Sequence, residues 1–471
     1  MELFPDLCEA RCIAVEPEKT NSLSWRQLWA TKQSPAQATR FRALDVLRGI
    51  AILLIIGPHT PFRFSQDNWA SRALRAWRDG GWIGVDIFFV LSGFLIAGLL
   101  FSELKKNHKL NLRLFLVRRL FKIWPAYLAF LLVVFLQQIT RHSGSFSQRV
   151  SQSAAEIWPF LVHIQNYYYS PLVERIGHTW SLAIEEHFYL LLPAVILLLM
   201  HLARRVSVAS SIAKSLSPLP WICGGVFVIS LALRVISWRT TNQFDEYTHH
   251  WPTHLRLDAM FVGVGLAYLV HFKQEYANDL REIRNGILLF GLMCMLPFAW
   301  VSGSSRSVCT FGYSLLQMGA GALVLCAWLR SNPGKTEPSV MPHILSPVSE
   351  VMSWIGRRSY SIYLWHMPFS VPVVNRILAR VGLWNSPMHD VIAMAIYAGV
   401  CVGIGSIMYA LIEFPAMAIR EKLAPSTNAA IESETLQPAE PVDGSPDSDA
   451  PDSLVLNMHQ SKPAGPMRRA V

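Results

Sequence analysis

Apolar residues arrive in long unbroken runs, and polar residues gather between the runs instead of alternating with them. A run of about 20 apolar residues is the length of a helix that crosses a bilayer. Windows of that kind lie near 43–64, 82–102, 119–139, 180–202, 219–237, 255–272, 286–301, 309–329, 351–373 and 390–414. The pattern predicts an all-α polytopic membrane protein with about ten transmembrane helices. An outer-membrane barrel, built of alternating strands about ten residues long, does not fit these Leu-rich runs.

Two runs carry ionisable residues where a lipid-facing helix should have none. LDVLRGIAILLIIGPHTPF holds Arg48 and His59, and GGWIGVDIFFVLSGFLIAGLL holds Asp86. Such groups cost several kcal/mol in hydrocarbon unless they meet a partner or a water-filled cavity, so they mark functional sites. On one α-helix, the spacing of Arg48 and His59 comes to roughly 20° beyond three full turns, with roughly 16 Å of rise, so the pair shares one track. The competing reading is a hydrogen-bonded histidine packed after a kink at Pro58, and an arginine that snorkels to the headgroups.

Composition narrows the class. With 471 residues, 52% hydrophobic, 16% charged and a mean hydropathy of +0.30, the chain is too apolar for a soluble domain. Its cations cluster in alternate loops: Lys105, Lys106, Lys109, Arg113, Arg118, Arg119 and Lys122 together, then Arg204 and Arg205, Lys273, Arg281 and Arg284, Arg357 and Arg358, Arg420 and Lys422. The positive-inside rule predicts that both termini are cytoplasmic, with Arg72, Arg75 and Arg78 the exception outside. The net charge of +10 and pI near 9.3 then reflect topology and contact with anionic membrane lipids, not nucleic acid. The seven cysteines show no metal-type clustering beyond Cys8 and Cys12, so neither a metal site nor a disulfide framework is expected.

The expected organisation is a cytoplasmic N-terminal segment over 1–40, a transmembrane domain over 41–418 and a disordered cytoplasmic tail over 419–471. In the first, LSWRQLWATK suits a short interfacial helix with Trp25 and Trp29 at headgroup depth. No apolar core of a cleavable signal precedes the first run, which then serves as its own insertion signal. From about Pro425 the composition turns to Pro, Ser, Asp and Glu, too polar to fold. The aromatic run Trp158–Ser170 suits either sugar stacking or anchoring at the membrane interface.

Four further motifs carry chemistry. RRLFKIWP places Arg118, Arg119 and Lys122 at the mouth of the third helix, and cations three apart on one face suit phosphates as well as plain anchoring. HTWSLAIEEHFYLLLP holds Glu185, Glu186 and His187, acids that pair with cations, shape an acceptor site or simply suit a helix N-terminus. LRLDAMFVGVGLAYL sets Arg256 and Asp258 two apart at a membrane boundary, and IGRRSYSIYLWHMPF leads into an intramembrane His366.

In order and wording these blocks resemble the membrane-bound acyltransferase-3 family, whose members O-acylate glycans and other small acceptors. The resemblance covers about residues 41–418: Arg48 and His59 match its Arg, ten residues, His signature; GWIGVDIFFVLSGFLI matches its GVDxFFVLSGF block; WSLAIEEHFYLLLP, SYSIYLWHMP and IEFP follow in order. Two departures stand out. The family's Arg-x-x-Arg reads here as Arg119 and Lys122, which keeps the charge but loses the fork, and the Gln usual before Phe-Tyr is His187. Many relatives carry an extracytoplasmic SGNH-type domain; here only the polar tail follows, so transfer is expected to finish at the membrane domain or on a separate extracytoplasmic transferase.

The resemblance implies an acyltransfer from cytoplasmic acyl-CoA, acetyl-CoA by default, to a hydroxyl of a carbohydrate acceptor at the plasma membrane. Arg118, Arg119 and Lys122 would hold the CoA phosphates and Arg48 would line the pantetheine path or stabilise an oxyanion. His59 would act as general base or carry the acyl group covalently. Asp86, Glu185, Glu186 and His366 would orient His59 or the acceptor. The alternative class is a proton-coupled membrane transporter, against which stands the absence of an inverted repeat or matched broken helices.

Overall fold

The computed structural model describes residues 35–424, apart from 63, 65–67, 206–210, 242, 332–345 and 382–388. The expected interfacial helix around Trp25 and Trp29, Cys8 and Cys12, and the tail from Pro425 lie outside the described residues. Within them the secondary structure is helical, with no strand.

The first run forms α1 (Pro35–Ile56), followed by a 3-10 turn Gly57–His59. Pro58 has no N–H for the carbonyl of Leu54, so the α-helix stops short of the predicted window. α2 (Trp69–Gly80) starts where the Asn68 side chain accepts from the Ser71 N–H at 2.8 Å. It returns Trp77, whose indole donates to the Leu53 carbonyl at 2.8 Å, and a Cβ on Gly57 would collide with that ring. The turn that carries His59 is thereby clamped between two helices.

α3 (Gly84–Asn107) carries the GVDIFFVLSGF block, and α4 (Leu112–Arg141), capped by Asn111, the cationic mouth. α5 (Phe146–Leu161) opens with a Ser145/Gln148 capping box, and α6 (Pro171–Ile176) leads through the turn Gly177–Thr179 to α7 (Trp180–Arg205). α8 (Leu219–Thr241), α9 (Thr253–Phe272), α10 (Gln274–Glu282) and α11 (Arg284–Met295) follow. A π-turn, Val308–Gly312, leads into α12 (Tyr313–Ser331), then α13 (Ser346–Arg357), α14 (Ser359–Val381) and α15 (His389–Met408). A second π-turn, Tyr409–Glu413, precedes α16 (Phe414–Leu423).

Each predicted apolar window is mostly helical where it is described. Seven of the described helical stretches are long and apolar enough to cross a membrane, or eight if the pair 274–282 and 284–299, bent by 83°, is one span. α1 and α14 coincide with two more windows, and 351–373 straddles the break between α13 and α14. α4 leaves Leu116, Leu120, Leu128, Leu132 and Leu136 exposed, an apolar surface suited to contact with lipid. Inside, α3 and α9 cross with Gly93 against the Met260 carbonyl and Gly263 against that of Val90, where any Cβ would collide. Small residues of this kind let helices in lipid approach backbone to backbone.

Candidate active site

Two cavities meet beside the turn that ends α1. The first, of about 160 Å³, is basic: Arg48 from α1, Arg119 and Lys122 from α4 and Arg357 from α13 line it together with Glu185 of α7. One wall is apolar, from Val85, Phe88, Phe89, Leu95 and Ile96 of α3, and Ser181, Tyr189, Tyr360 and Tyr363 add hydroxyls. Arg48 is held by Asp45 at 3.1 Å. Lys122 donates to Glu413 at 2.6 Å, whose other oxygen accepts from Ser361 at 2.6 Å. Glu185 accepts from the Tyr189 hydroxyl at 2.7 Å, and the Arg119 guanidinium lies 5.9 Å over the same ring. Packed carboxylates thus orient the cations without cancelling all of them.

The second cavity, of about 400 Å³, is aromatic and acidic, lined by Trp82, Trp180, Phe244 and Trp251 with Glu174, Glu246, His250, His178 and His59. Flat rings beside carboxylates combine stacking with hydrogen-bond acceptance. Ile55 and Val85 line both cavities and form the wall between them.

His59 and His178, which line the aromatic cavity, pack with His366, which lines neither cavity. The rings of His59 and His366 are 4.8 Å apart, those of His178 and His366 5.0 Å, and those of His59 and His178 6.5 Å, all edge to face. The chain supplies them from three separate places: the turn after α1, the turn before α7 and the middle of α14. His59 Nδ1 contacts the Ile55 carbonyl at 2.9 Å, and its own carbonyl accepts from the Tyr397 hydroxyl of α15 at 2.8 Å. Tyr363, which lines the basic cavity, donates to the His178 carbonyl and lies 2.7 Å from Ser181.

Of the residues singled out in the sequence, Arg48, Arg119, Lys122 and Glu185 converge on the basic cavity, while His59 faces the aromatic one. The single α-helical track expected for Arg48 and His59 ends at Ile56, and His59 stands in the 3-10 turn after it, so Arg48 lines the basic cavity and His59 the aromatic one. Arg118 does not line either cavity; its Nε donates to the Ala424 carbonyl at 3.2 Å. Asp86 sits within the bundle with both oxygens 2.9 Å from Arg256, and Arg256 lies 3.8 Å over the Tyr313 ring. Glu186 lines neither cavity, and His187 bonds Thr253 at 2.8 Å. His366 is fully buried within the histidine cluster.

Sequence reasoning passed over His178, Arg357 and the tryptophan cavity. The first stands at the head of HTWSLAIEEHF and the second in the RR pair before SYSIYLWH, so both were within quoted motifs. It also missed Arg234, a buried cation on α8 bonded to Asp258 at 2.7 Å, with Gln317 on the other Asp258 oxygen at 2.9 Å. Among the described residues no group of three or more His, Cys, Asp or Glu side chains is arranged to hold a metal ion.

The stretch Trp158–Ser170, the end of α5 and the turns after it, packs by its polar groups. Gln165 donates to the Thr179 carbonyl at 2.9 Å and Asn166 to Thr253 at 2.9 Å, both side chains fully buried. His163 stacks on Tyr127 with centroids 4.9 Å apart, and burial pushes it down to about 4.

The acyltransferase-3 profile, described as Acyltransferase domain, matches residues 41–409. Peptidoglycan O-acetyltransferase OatA of Listeria monocytogenes is 28% identical over 361 residues, which is 73% of this chain and 52% of that protein. O-acetyltransferase OatA of Staphylococcus aureus strain NCTC 8325 is 28% identical over 337 residues, 70% of this chain and 50% of that protein. The chain spans about half the length of these curated relatives. No solved structure matches.

Proposed function

The chain belongs to the acyltransferase-3 family of membrane acyltransferases, and from that premise we propose that it moves an acyl group, acetyl by default, from acyl-CoA to a hydroxyl of a cell-surface glycan. The observation that carries this reading is the pair of chemically opposite cavities, one basic and one aromatic, that share Ile55 and Val85 beside His59.

A phosphorylated donor suits the basic cavity. Its volume is below the ~300–1,000 Å³ of an ordinary ligand pocket, so it takes the acyl-pantetheine end while the nucleotide stays at the mouth. Arg119, Lys122 and Arg357 meet the donor's phosphates, and Arg48 lies further along the path. A sugar suits the aromatic cavity, where tryptophans stack and Glu174 and Glu246 accept hydroxyl hydrogen bonds. The relatives' names make peptidoglycan strands the first acceptor to test.

In the reaction, the acceptor oxygen forms a bond to the acyl carbon as the carbon–sulfur bond breaks. The hydroxyl proton passes to His59 and ends on the departing CoA thiolate. His59 faces the acceptor cavity, which supports general-base catalysis over an acyl-histidine; such a base is worth about 10² to 10⁴ in rate. The cation-rich loops support a cytoplasmic basic cavity and cytoplasmic termini, and a cell-surface acceptor calls for residence in the plasma membrane. A carrier function draws nothing from the relatives.

The test uses the purified full chain in lipid nanodiscs with radiolabelled acetyl-CoA and soluble peptidoglycan fragments. Label should enter the glycan, and His59→Ala should abolish transfer while donor binding remains. Full transfer by a properly inserted His59→Ala variant would overturn the assignment.

A further inference from the structure

A general base buried in a bundle needs something to receive the positive charge it acquires. In hydrolytic triads a carboxylate does so, yet among the described residues no carboxylate hydrogen-bonds His59, His178 or His366. Their hydrogen bonds go to backbone carbonyls: His59 Nδ1 to Ile55 at 2.9 Å, His366 Nδ1 to Tyr363 at 2.6 Å and His178 Nε2 to Leu364 at 3.3 Å.

A carbonyl oxygen only accepts, so each of those nitrogens is the protonated one, and each neutral ring keeps its lone pair on the other nitrogen. The free lone pairs are therefore on His59 Nε2, His178 Nδ1 and His366 Nε2. The last two are buried and have no hydrogen-bond partner. An unpaired buried acceptor costs about 1–3 kcal/mol, and here two such acceptors lie in rings 4.8 and 6.5 Å from the base.

We infer that His366 and His178 are positioning residues for the acyl transfer: once His59 takes the acceptor's proton on Nε2, their lone pairs share that single N–H, so two neutral rings do the work of a carboxylate. The inference rests on the proposed role of His59. The bonds made and broken are those of the transfer itself. The proton leaves the acceptor hydroxyl for His59 Nε2, the cluster shares it while the ester forms, and it is delivered to the thiolate, leaving all three rings neutral again.

The geometry also dictates the rescuing substitutions. Gln places its amide oxygen near the Nε2 position of histidine, and Asn near Nδ1. His366→Gln and His178→Asn therefore keep the acceptor that matters, whereas Ala removes it. In nanodiscs, with active sites counted by acetyl-CoA binding, His366→Ala and His178→Ala should each lower kcat about tenfold or more with KM for donor and glycan within twofold. His366→Gln and His178→Asn should recover part of that loss.

Wild-type kcat in both Ala variants would overturn the inference, as would a loss confined to KM, or Gln and Asn variants no better than Ala. His59→Ala, run alongside, separates the two readings. If it transfers at the wild-type rate the base itself is misassigned, whereas an inert His59→Ala beside fully active His366→Ala and His178→Ala removes only the shared proton.

Discussion

Lys122 of α4 and Glu413 of the closing IEFP motif form an ion pair at 2.6 Å across 291 residues of sequence. The carboxylate is fully buried and the ammonium about one third exposed, so the pair fixes one cation of the basic cavity. Glu413→Ala strips Lys122 and Ser361 of a shared partner, and should cost on the order of 2 kcal/mol, read as a fall in thermal midpoint. Pairing Lys122→Met with Glu413→Leu should recover most of that stability but leave acetyl-CoA binding weak. Tight donor binding in the double variant would show that Lys122 serves only the fold.

Arg119 and Arg118 are neighbours with different surroundings, one lining the basic cavity and the other bonded to Ala424. Arg119→Ala should raise the donor KM about 10- to 100-fold, the value of one or two charge-assisted hydrogen bonds. Arg118→Ala should leave it within about twofold. Equal effects in a steady-state assay would mean that only bulk charge matters.

Asp86 and Arg256 are both fully buried, and removing one partner strands a charge. Asp86→Ala should destabilise the bundle by about 3–5 kcal/mol, and adding Arg256→Met should restore much of it. Turnover per folded molecule should be near wild type in the double variant. A selective loss of transfer there would give Asp86 a part in the chemistry.

His163 lies in the loop outside the spans and its folded value sits near 4 instead of 6.5. The unfolded chain binds the proton first, so stability should fall as pH drops from about 6.5 to about 4, by at most about 3 kcal/mol from this residue. His163→Phe keeps a ring on Tyr127 and cannot titrate. Thermal midpoints measured across that range should flatten in the variant; an unchanged slope would point to other groups.

Much of the site was legible because its residues are anomalous where they stand. Arg48, His59 and His366 interrupt apolar runs, and that alone marks them. Arg119 and Lys122 were readable as a pair of cations on one helix face from their spacing, and both line the basic cavity. Asp86 was marked by the same rule, yet its partner is Arg256, 170 residues away, and the two close on each other inside the packing. His178 escaped notice because it stands at a helix boundary, where a histidine is unremarkable until the fold brings His366 to 5.0 Å from it.

Hydropathy is a local property, so the sequence by itself determined where the helices lie, that they are apolar enough for a bilayer and which of them carry ionisable groups. Rotation and register are not local. A helix that is apolar nearly all round has no stripe to say which side faces a neighbour. Only tertiary structure decided that Ile55 and Val85 divide two cavities, that Glu413 returns to Lys122 and that three histidines from distant segments pack together. Those outcomes depend on close backbone crossings such as Gly93 on Met260, and no periodicity in the chain encodes where two helices will touch.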